Sequence, residues 1–277
     1  MPHEAMHYAE LPNGRRMPVI GFGTYRIDPK DTREAVSQAL SMGYRSIDTA
    51  QLYRNEREVG QAVAASGIDR ADLFITSKTM TEGYKPTREG IERSLERAGL
   101  DHFDLMLVHW PNSDHAGTYR ALEEAYQAGL LRAIGVSNFN SDQIGELCEQ
   151  ADVAPMIDQI ETSVYWQQRK MHPFLQGRHI LHESWSPLGE GRSRVLEEPA
   201  LQAIADHHHK SVAQVVLRFL TQEDVIVLPR STNPAHIREN LDIFDFTLDE
   251  AELDRVRRLD RAESVENWPS DMLQEQY

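Results

Sequence analysis

Residues 105–136 open on Leu105-Met-Leu-Val-His109 and close on Ala133-Ile-Gly-Val136. Neither run alternates apolar with polar residues. A strand with one wet face alternates, so runs like these belong to strands buried on both faces, the condition of a parallel sheet. Similar runs recur at 19–21, 46–48, 74–78, 156–160, 180–183 and 225–229. From Ser46 onward they begin between 23 and 45 residues apart, which leaves room for a helix after each. Eight such units in one uninterrupted chain predict an α/β fold, a (β/α)8 TIM barrel rather than a doubly wound sheet. No internal repeat, low-complexity tract or linker divides the chain, so one domain is expected over 1–277.

Helical spacing follows several of these runs. Val59, Ala62 and Val63 share a face, as do Ile91, Leu95 and Ala98. Val212, Val215, Val216 and Phe219 form a longer stripe, opened by Ser211 and Gln214 as a capping box. Thr247 and Glu250 read as a second box. Residues 6–11 and 16–19, joined by Pro12-Asn13-Gly14, predict an N-terminal β-hairpin. The last residues are expected to form a tail over the active-site face. Gly21-Phe-Gly23 lacks a third glycine and reads as a tight turn after strand one.

With 40% hydrophobic residues the 277-residue chain has ample core material. Its 44 acidic and 29 basic residues give a formal charge of −15, which argues against nucleic acid or an anionic membrane as partner. The single cysteine, Cys148, allows no internal disulfide and suits a reducing compartment, so a cytoplasmic location is expected. The first twenty residues hold no apolar run fit for a signal peptide, and no stretch nears the roughly 20 apolar residues of a membrane span. His207-His208-His209 reads as a solvated helix end. Consecutive helical residues point about 100° apart, so no metal site is expected there.

In a barrel of this kind the chemistry sits at the C-terminal strand ends. Those ends carry Asp48, with Tyr53 five residues on, then Lys78, His109-Trp110, Ser137-Asn138, Gln159, Trp185 and Arg230-Ser231. Singly, Asp48 could cap a turn, Tyr53 could pack in a core, and His109 could be a satisfied core histidine. Lys78 is harder to place blandly, because a lysine closing an apolar run needs a partner. Taken together they suit proton transfer to a carbonyl oxygen. An ammonium near a phenol favours its ionised form, a carboxylate steadies the ammonium, and an imidazole orients the carbonyl. No nucleophile or metal cage accompanies them, so a cofactor must supply the reducing equivalent.

The residues from Gly43 through Asp48-Thr-Ala-Gln-Leu-Tyr53-Arg-Asn-Glu56 to Val59-Gly60 resemble the first signature of the aldo-keto reductase family. Asp104-Leu-Met-Leu-Val-His109-Trp-Pro111 is similar to its second, and Ile134-Gly-Val-Ser-Asn138-Phe to its third. Val227-Leu-Pro-Arg230-Ser231, with Ile237-Arg-Glu-Asn240, resembles its cofactor-binding end. The likeness covers essentially the whole chain. Within the family, Glu183-Ser-Trp185-Ser-Pro-Leu-Gly189 and residues 240–246 look most like bacterial 2,5-diketo-D-gluconate reductases.

The resemblance implies an NADPH-dependent reductase of aldehydes, ketones or keto sugars, including 2,5-diketo-D-gluconate or methylglyoxal-type substrates, working as a monomer. It makes Tyr53 the general acid, tuned by Lys78 and Asp48, with His109 orienting the carbonyl. Ser137, Asn138 and Gln159 would hold the nicotinamide carboxamide and Trp185 would stack on its ring. Leu188 and Gly189 would line the pyrophosphate path, and Arg230, Ser231, His236, Glu239 and Asn240 would meet the adenosine end. Asn233-Pro234 supports that end independently, as an N-cap and first-turn proline where a helix N-terminus could face phosphate.

The chain departs from the family pattern at several positions. His236 replaces a common arginine, which leaves NADH possible beside NADPH and Arg230 with Arg238 as the basic pocket. Thr79-Met80 and Thr162-Ser163 replace residues that would shape the substrate pocket, and the 111–118 loop is short. Tyr25, Trp110 and Trp268 are the candidates to line that pocket. Two other readings stay open: a barrel glycosidase using Glu161 and Glu183 as its carboxylates, and a dinucleotide-binding redox sensor without turnover.

Overall fold

The computed structural model describes residues 6–266. A hairpin, β1 (Tyr8–Glu10) and β2 (Arg16–Pro18), precedes eight strands: β3 (Phe22–Gly23), β4 (Ser46–Asp48), β5 (Phe74–Thr79), β6 (Leu105–Val108), β7 (Ile134–Ser137), β8 (Ile157–Glu161), β9 (Leu181–Trp185) and β10 (Val225–Val227). The helices are α1 (Pro29–Met42), α2 (Glu56–Ala65), α3 (Tyr84–Ala98), α4 (His115–Gln127), α5 (Ser141–Gln150), α6 (Met171–Gly177), α7 (Pro199–His208), α8 (Val212–Gln222), α9 (Pro234–Leu241) and α10 (Glu250–Arg257).

Strands β3 to β10 pair in sequence order, every pair parallel. The ring closes between the first and last of them. Val227 N–H donates to Val19, and Gly21 and Gly23 donate to Val227 and Pro229. This is the expected (β/α)8 barrel. The residues of β4 to β8 are all buried, as runs without alternation require.

Local chemistry sets the helix ends. Asp28 caps α1 at its N-terminus by accepting from Lys30 N–H, ahead of Pro29, and Gly43 ends the helix at φ 116°. Ser211 and Gln214 form the expected capping box of α8. Gly60 lets α2 lie against α3, since a Cβ there would stand 1.7 Å from the Ala98 carbonyl oxygen. The hairpin buries Leu11 and Met17 in the core, and the Asn13 side chain donates to Arg132 O just ahead of β7, at the end of the barrel away from the strand C-termini.

Two local expectations are corrected. The first barrel strand is Phe22–Gly23, with Ile20 bridging to Val227, so Phe22 and Gly23 are strand rather than part of a tight turn. A Cβ on Gly21 would meet Leu228 and Ser46 within 3 Å, so packing explains this glycine. The box that opens α10 is Asp249 with Glu252, two residues beyond Thr247 and Glu250. Leu248 is fastened in both directions to the Gln222 side chain, so the helix starts after it.

After α10 the chain returns across the strand C-termini. Glu161, at the end of β8, accepts from Ser264 Oγ at 2.5 Å and from Val265 N–H at 2.7 Å. The tail therefore reaches the active-site face as far as Glu266, while Trp268 lies outside the described residues. Among the described residues no helix is long and apolar enough to cross a membrane.

Candidate active site

Strands β4 and β5 bring Asp48 and Lys78 together inside the barrel. Lys78 is fully buried and has three N–H donors. They go to Asp48 Oδ1 at 2.5 Å, Thr49 O at 3.1 Å and the Tyr53 hydroxyl at 3.2 Å. Tyr53 stands in the single 3-10 turn Gln51–Tyr53 that follows β4. Its oxygen accepts from Lys78, so its own proton is free to go to a ligand. The His109 ring stands edge-on to the Tyr53 ring, 5.8 Å between centroids, and Tyr25 leans on the same phenol at 5.0 Å.

The electrostatics divide these groups cleanly. Burial pushes the Tyr53 phenol up to about 12, against Lys78, which pulls it down, and with Asp48, which pushes it further up. Lys78 thus acts in the expected direction, but burial outweighs it and the phenol stays protonated. Burial opposes the charge on Lys78 itself, yet Asp48 and Tyr53 more than offset it and hold the ammonium above its ordinary range. His109 is pushed down to about 3 by burial and then by Lys78, so its ring is neutral.

Around this cluster lies a cavity of about 230 Å³ lined by Tyr25, Asp48, Tyr53, His109, Trp110, Ser137, Asn138, Gln159, Trp185 and Leu188, among others. A second cavity of about 700 Å³ is lined by Arg230, Ser231, His236, Glu239 and Asn240. Both are bounded by Leu188, Glu190 and Arg230, so they adjoin as one groove from the phenol to the start of α9. Its flat indole wall and its outer end at the Asn233-capped helix fit a dinucleotide.

Not every expected residue faces the groove. Gly189 is buried at φ 70° with Ser193 against it, and its neighbours Leu188, Glu190 and Gly191 line the path instead. Arg238 is not among the described lining residues, because it lies two helical positions beyond His236. Asn138, at φ 64°, is committed to its neighbours: its amide donates to His109 O and Ser137 Oγ, and its Oδ1 accepts from Trp185 Nε1. Sequence reasoning missed Leu52, Glu190 and Glu266, which line the inner cavity. Glu190 pairs with Arg26 at 3.0 Å, a contact between residues 164 apart in the chain.

Two further expectations change. Neither Glu161 nor Glu183 is among the described residues lining the groove; one holds the tail and the other is sealed in the barrel, so the glycosidase pair does not assemble. The histidine tract is also more than a solvated end. His207 Nδ1 and His208 Nε2 both meet Glu252 Oε1, at 2.9 and 3.0 Å, because different ring nitrogens make up for the angle between the residues.

The fold and this buried Asp–Lys–Tyr–His arrangement at its strand C-termini define a barrel oxidoreductase. The chain belongs to the aldo/keto reductase family, whose model matches residues 19–261. It is 42% identical over 277 residues to a glyoxal reductase of Bacillus subtilis, covering 99% of this chain and all of that one. It is 40% identical to the methylglyoxal reductase DkgA of Yersinia pestis, covering 91% and 92% of the two chains. A Bombyx mori aldo-keto reductase solved in complex with NADP superposes with a TM-score of 0.90, at 33% identity and 95% coverage of both chains.

Proposed function

We propose that this chain reduces small aldehydes and α-dicarbonyls, glyoxal and methylglyoxal among them, with keto sugars such as 2,5-diketo-D-gluconate as further substrates, using NADPH as its preferred reductant. The observation that carries the reading is the Tyr53 hydroxyl, which takes a hydrogen bond from Lys78 and keeps its proton for the open side of the cavity. The relatives named glyoxal and methylglyoxal reductase support the substrate class.

A bound nicotinamide supplies the hydride. The chain does the rest. Trp185 offers a flat wall, held by its Nε1–H bond to Asn138. Gln159 Oε1 is the amide atom left for the carboxamide, and Ser137 and Asn138 frame it. Leu188 borders the pyrophosphate path, and Arg230, Ser231, His236, Glu239 and Asn240 surround the adenosine end. Neutral His109 hydrogen-bonds the substrate carbonyl and holds it toward Tyr53. As charge develops on that oxygen, Tyr53 delivers its proton. The Lys78 ammonium, steadied by Asp48, stabilises the phenolate left behind. Tyr25 and Trp110, both exposed at the cavity mouth, meet the rest of the substrate.

In the same reading the enzyme works as a cytoplasmic monomer, which a chain with one cysteine suits. Consumption of NADPH and of NADH against a panel of aldehydes, dicarbonyls and keto sugars tests the activity. Rapid turnover of a dicarbonyl is expected. Dinucleotide binding with no turnover on any of them overturns the reading in favour of a redox sensor.

A further inference from the structure

Glu183 lies in the middle of β9, wholly buried, in the barrel interior beside the proton-transfer groups. The Gln159 side chain spans the gap between them. Its Nε2 donates to Asp48 Oδ2 at 3.0 Å and to Glu183 Oε2 at 2.8 Å. Both amide hydrogens are spent on carboxyl groups, which leaves the amide oxygen as the one polar atom of that side chain for a ligand. Glu183 Oε1 has no hydrogen-bond partner among the described residues. A carboxylate with a bare oxygen in an enclosed barrel is far more costly than a neutral acid.

We propose that Glu183 is a positioning residue: a neutral carboxylic acid that fixes the orientation of the Gln159 amide toward the cofactor and keeps a second negative charge away from the Asp48–Lys78–Tyr53 relay. This rests on the reductase reading given above. The charged and titratable groups facing Glu183 are Asp48 on β4 and Lys78 on β5, with Tyr53 and His109 beyond them; β10, its neighbour on the other side, offers only Val225, Ile226 and Val227. Burial, then the Asp48 charge, pushes the Glu183 carboxyl up to about 8, while Gln159 and Lys78 pull the other way. Tyr53 and His109 titrate far to either side of neutrality and Lys78 above its ordinary range. Of these four groups, Glu183 alone changes charge near neutral pH. Once ionised, it strengthens the hold on the Lys78 ammonium and raises the phenol further. That makes Tyr53 a weaker acid, and Brønsted behaviour turns the change into a loss of kcat.

The test compares wild type, Glu183→Gln and Glu183→Leu across the neutral and alkaline range. Each is read by kcat and KM with methylglyoxal and by NADPH binding through quenching of protein fluorescence. In the wild type, kcat falls several-fold as the pH rises through about 8. KM changes little. Glu183→Gln, which can still accept from Gln159 but cannot ionise, keeps its kcat over that range and binds NADPH as the wild type does. Glu183→Leu frees Gln159 to turn and weakens NADPH binding about tenfold, the loss of roughly one hydrogen bond. An alkaline fall of kcat in Glu183→Gln identical to the wild type's overturns the proposal, as does unchanged NADPH binding in Glu183→Leu. If the variants do not fold, the infrared spectrum of the wild type decides. The buried Asp158 carboxyl is also pushed well up, so the band is read by its titration. A protonated-carboxyl band lost as the pH rises through about 8 supports a neutral Glu183, and the absence of any band titrating there refutes one. No NADPH oxidation by the wild type at any pH would instead overturn the reductase reading, leaving the infrared result to judge Glu183 by itself.

Discussion

The Lys78 ammonium sits 3.2 Å from the Tyr53 hydroxyl and 2.5 Å from Asp48 Oδ1, so it touches both the acid and the carboxylate that offsets its own charge. Burial alone would favour a neutral lysine, and the contacts reverse that preference. Replacing Tyr53 by Phe removes the transferable proton and little else. Turnover should fall about 10³-fold, within the range of general-acid catalysis, with NADPH affinity kept. Steady-state kinetics and fluorescence titration check the two halves. Lys78→Met should also lose turnover, and it leaves the buried Asp48 charge uncompensated, a cost of about 3–5 kcal/mol that urea unfolding will read.

Among the buried groups on which stability should depend as pH changes, two beside the active site act with opposite signs. His109 is pushed down to about 3 from an unfolded value near 6.5, so between those values the unfolded chain binds more protons. The stability that His109 contributes is complete above about 6.5 and is lost as the pH falls through that window. Glu183, raised to about 8, is the reverse: from about 4.3 to about 8 the folded chain holds the extra proton, and stability declines as the pH rises. Urea midpoints should flatten on the acid side in His109→Gln and on the other side in Glu183→Gln. Unchanged slopes in both variants would contradict these assignments.

His236 lines the outer cavity next to Arg230, at the start of α9. An arginine there would add a permanent charge with a two-pronged donor set for a phosphate. His236→Arg should therefore raise the ratio of NADPH to NADH affinity about tenfold, about 1.4 kcal/mol. Direct titration with each dinucleotide measures it, and an unchanged ratio would place the 2′-phosphate elsewhere.

Glu161 holds the returning tail through Ser264 and Val265, and the next residue, Glu266, lines the inner cavity beside its ion-pair partner Arg192 at 2.6 Å. Glu161→Ala should free that segment. Trypsin should then cut after Arg261 several-fold faster, and KM for a bulky carbonyl should change more than kcat. Equal proteolysis in the two proteins would show that the remaining ties hold the tail without Glu161: the Tyr165 carbonyl, which takes the N–H groups of Arg261 and Glu263, and Arg192, which donates to Val265 O and pairs with Glu266.

The barrel strands were legible because a short apolar run without polar alternation suits a strand buried on both faces and little else. Asp48, Lys78 and His109 were legible for a related reason: each is a polar residue closing such a run. What escaped was decided at a distance. Glu190 matters through Arg26, 164 residues away, and Glu266 through Glu161. Gly189 looked like a lining residue, but Ser193 behind it turns it inward. Two overlapping capping patterns precede α10, and only the hold of Gln222 on Leu248 selects the second. The sign of the net effect on Tyr53 also depends on burial, which a residue pattern does not disclose.

The seam between Val19 and Val227 joins segments more than two hundred residues apart in the chain. Every other pairing in the ring links strands that follow one another in sequence. The last seam can form only when almost the whole barrel is in place, and until then β3 and β10 each expose an unpaired edge. Contacts of such long separation slow folding and lengthen the time during which these edges can join another molecule. The rate at which this protein reaches its native state, and its tendency to aggregate on the way, should therefore be governed by this seam, far more than by the groups that carry out its chemistry.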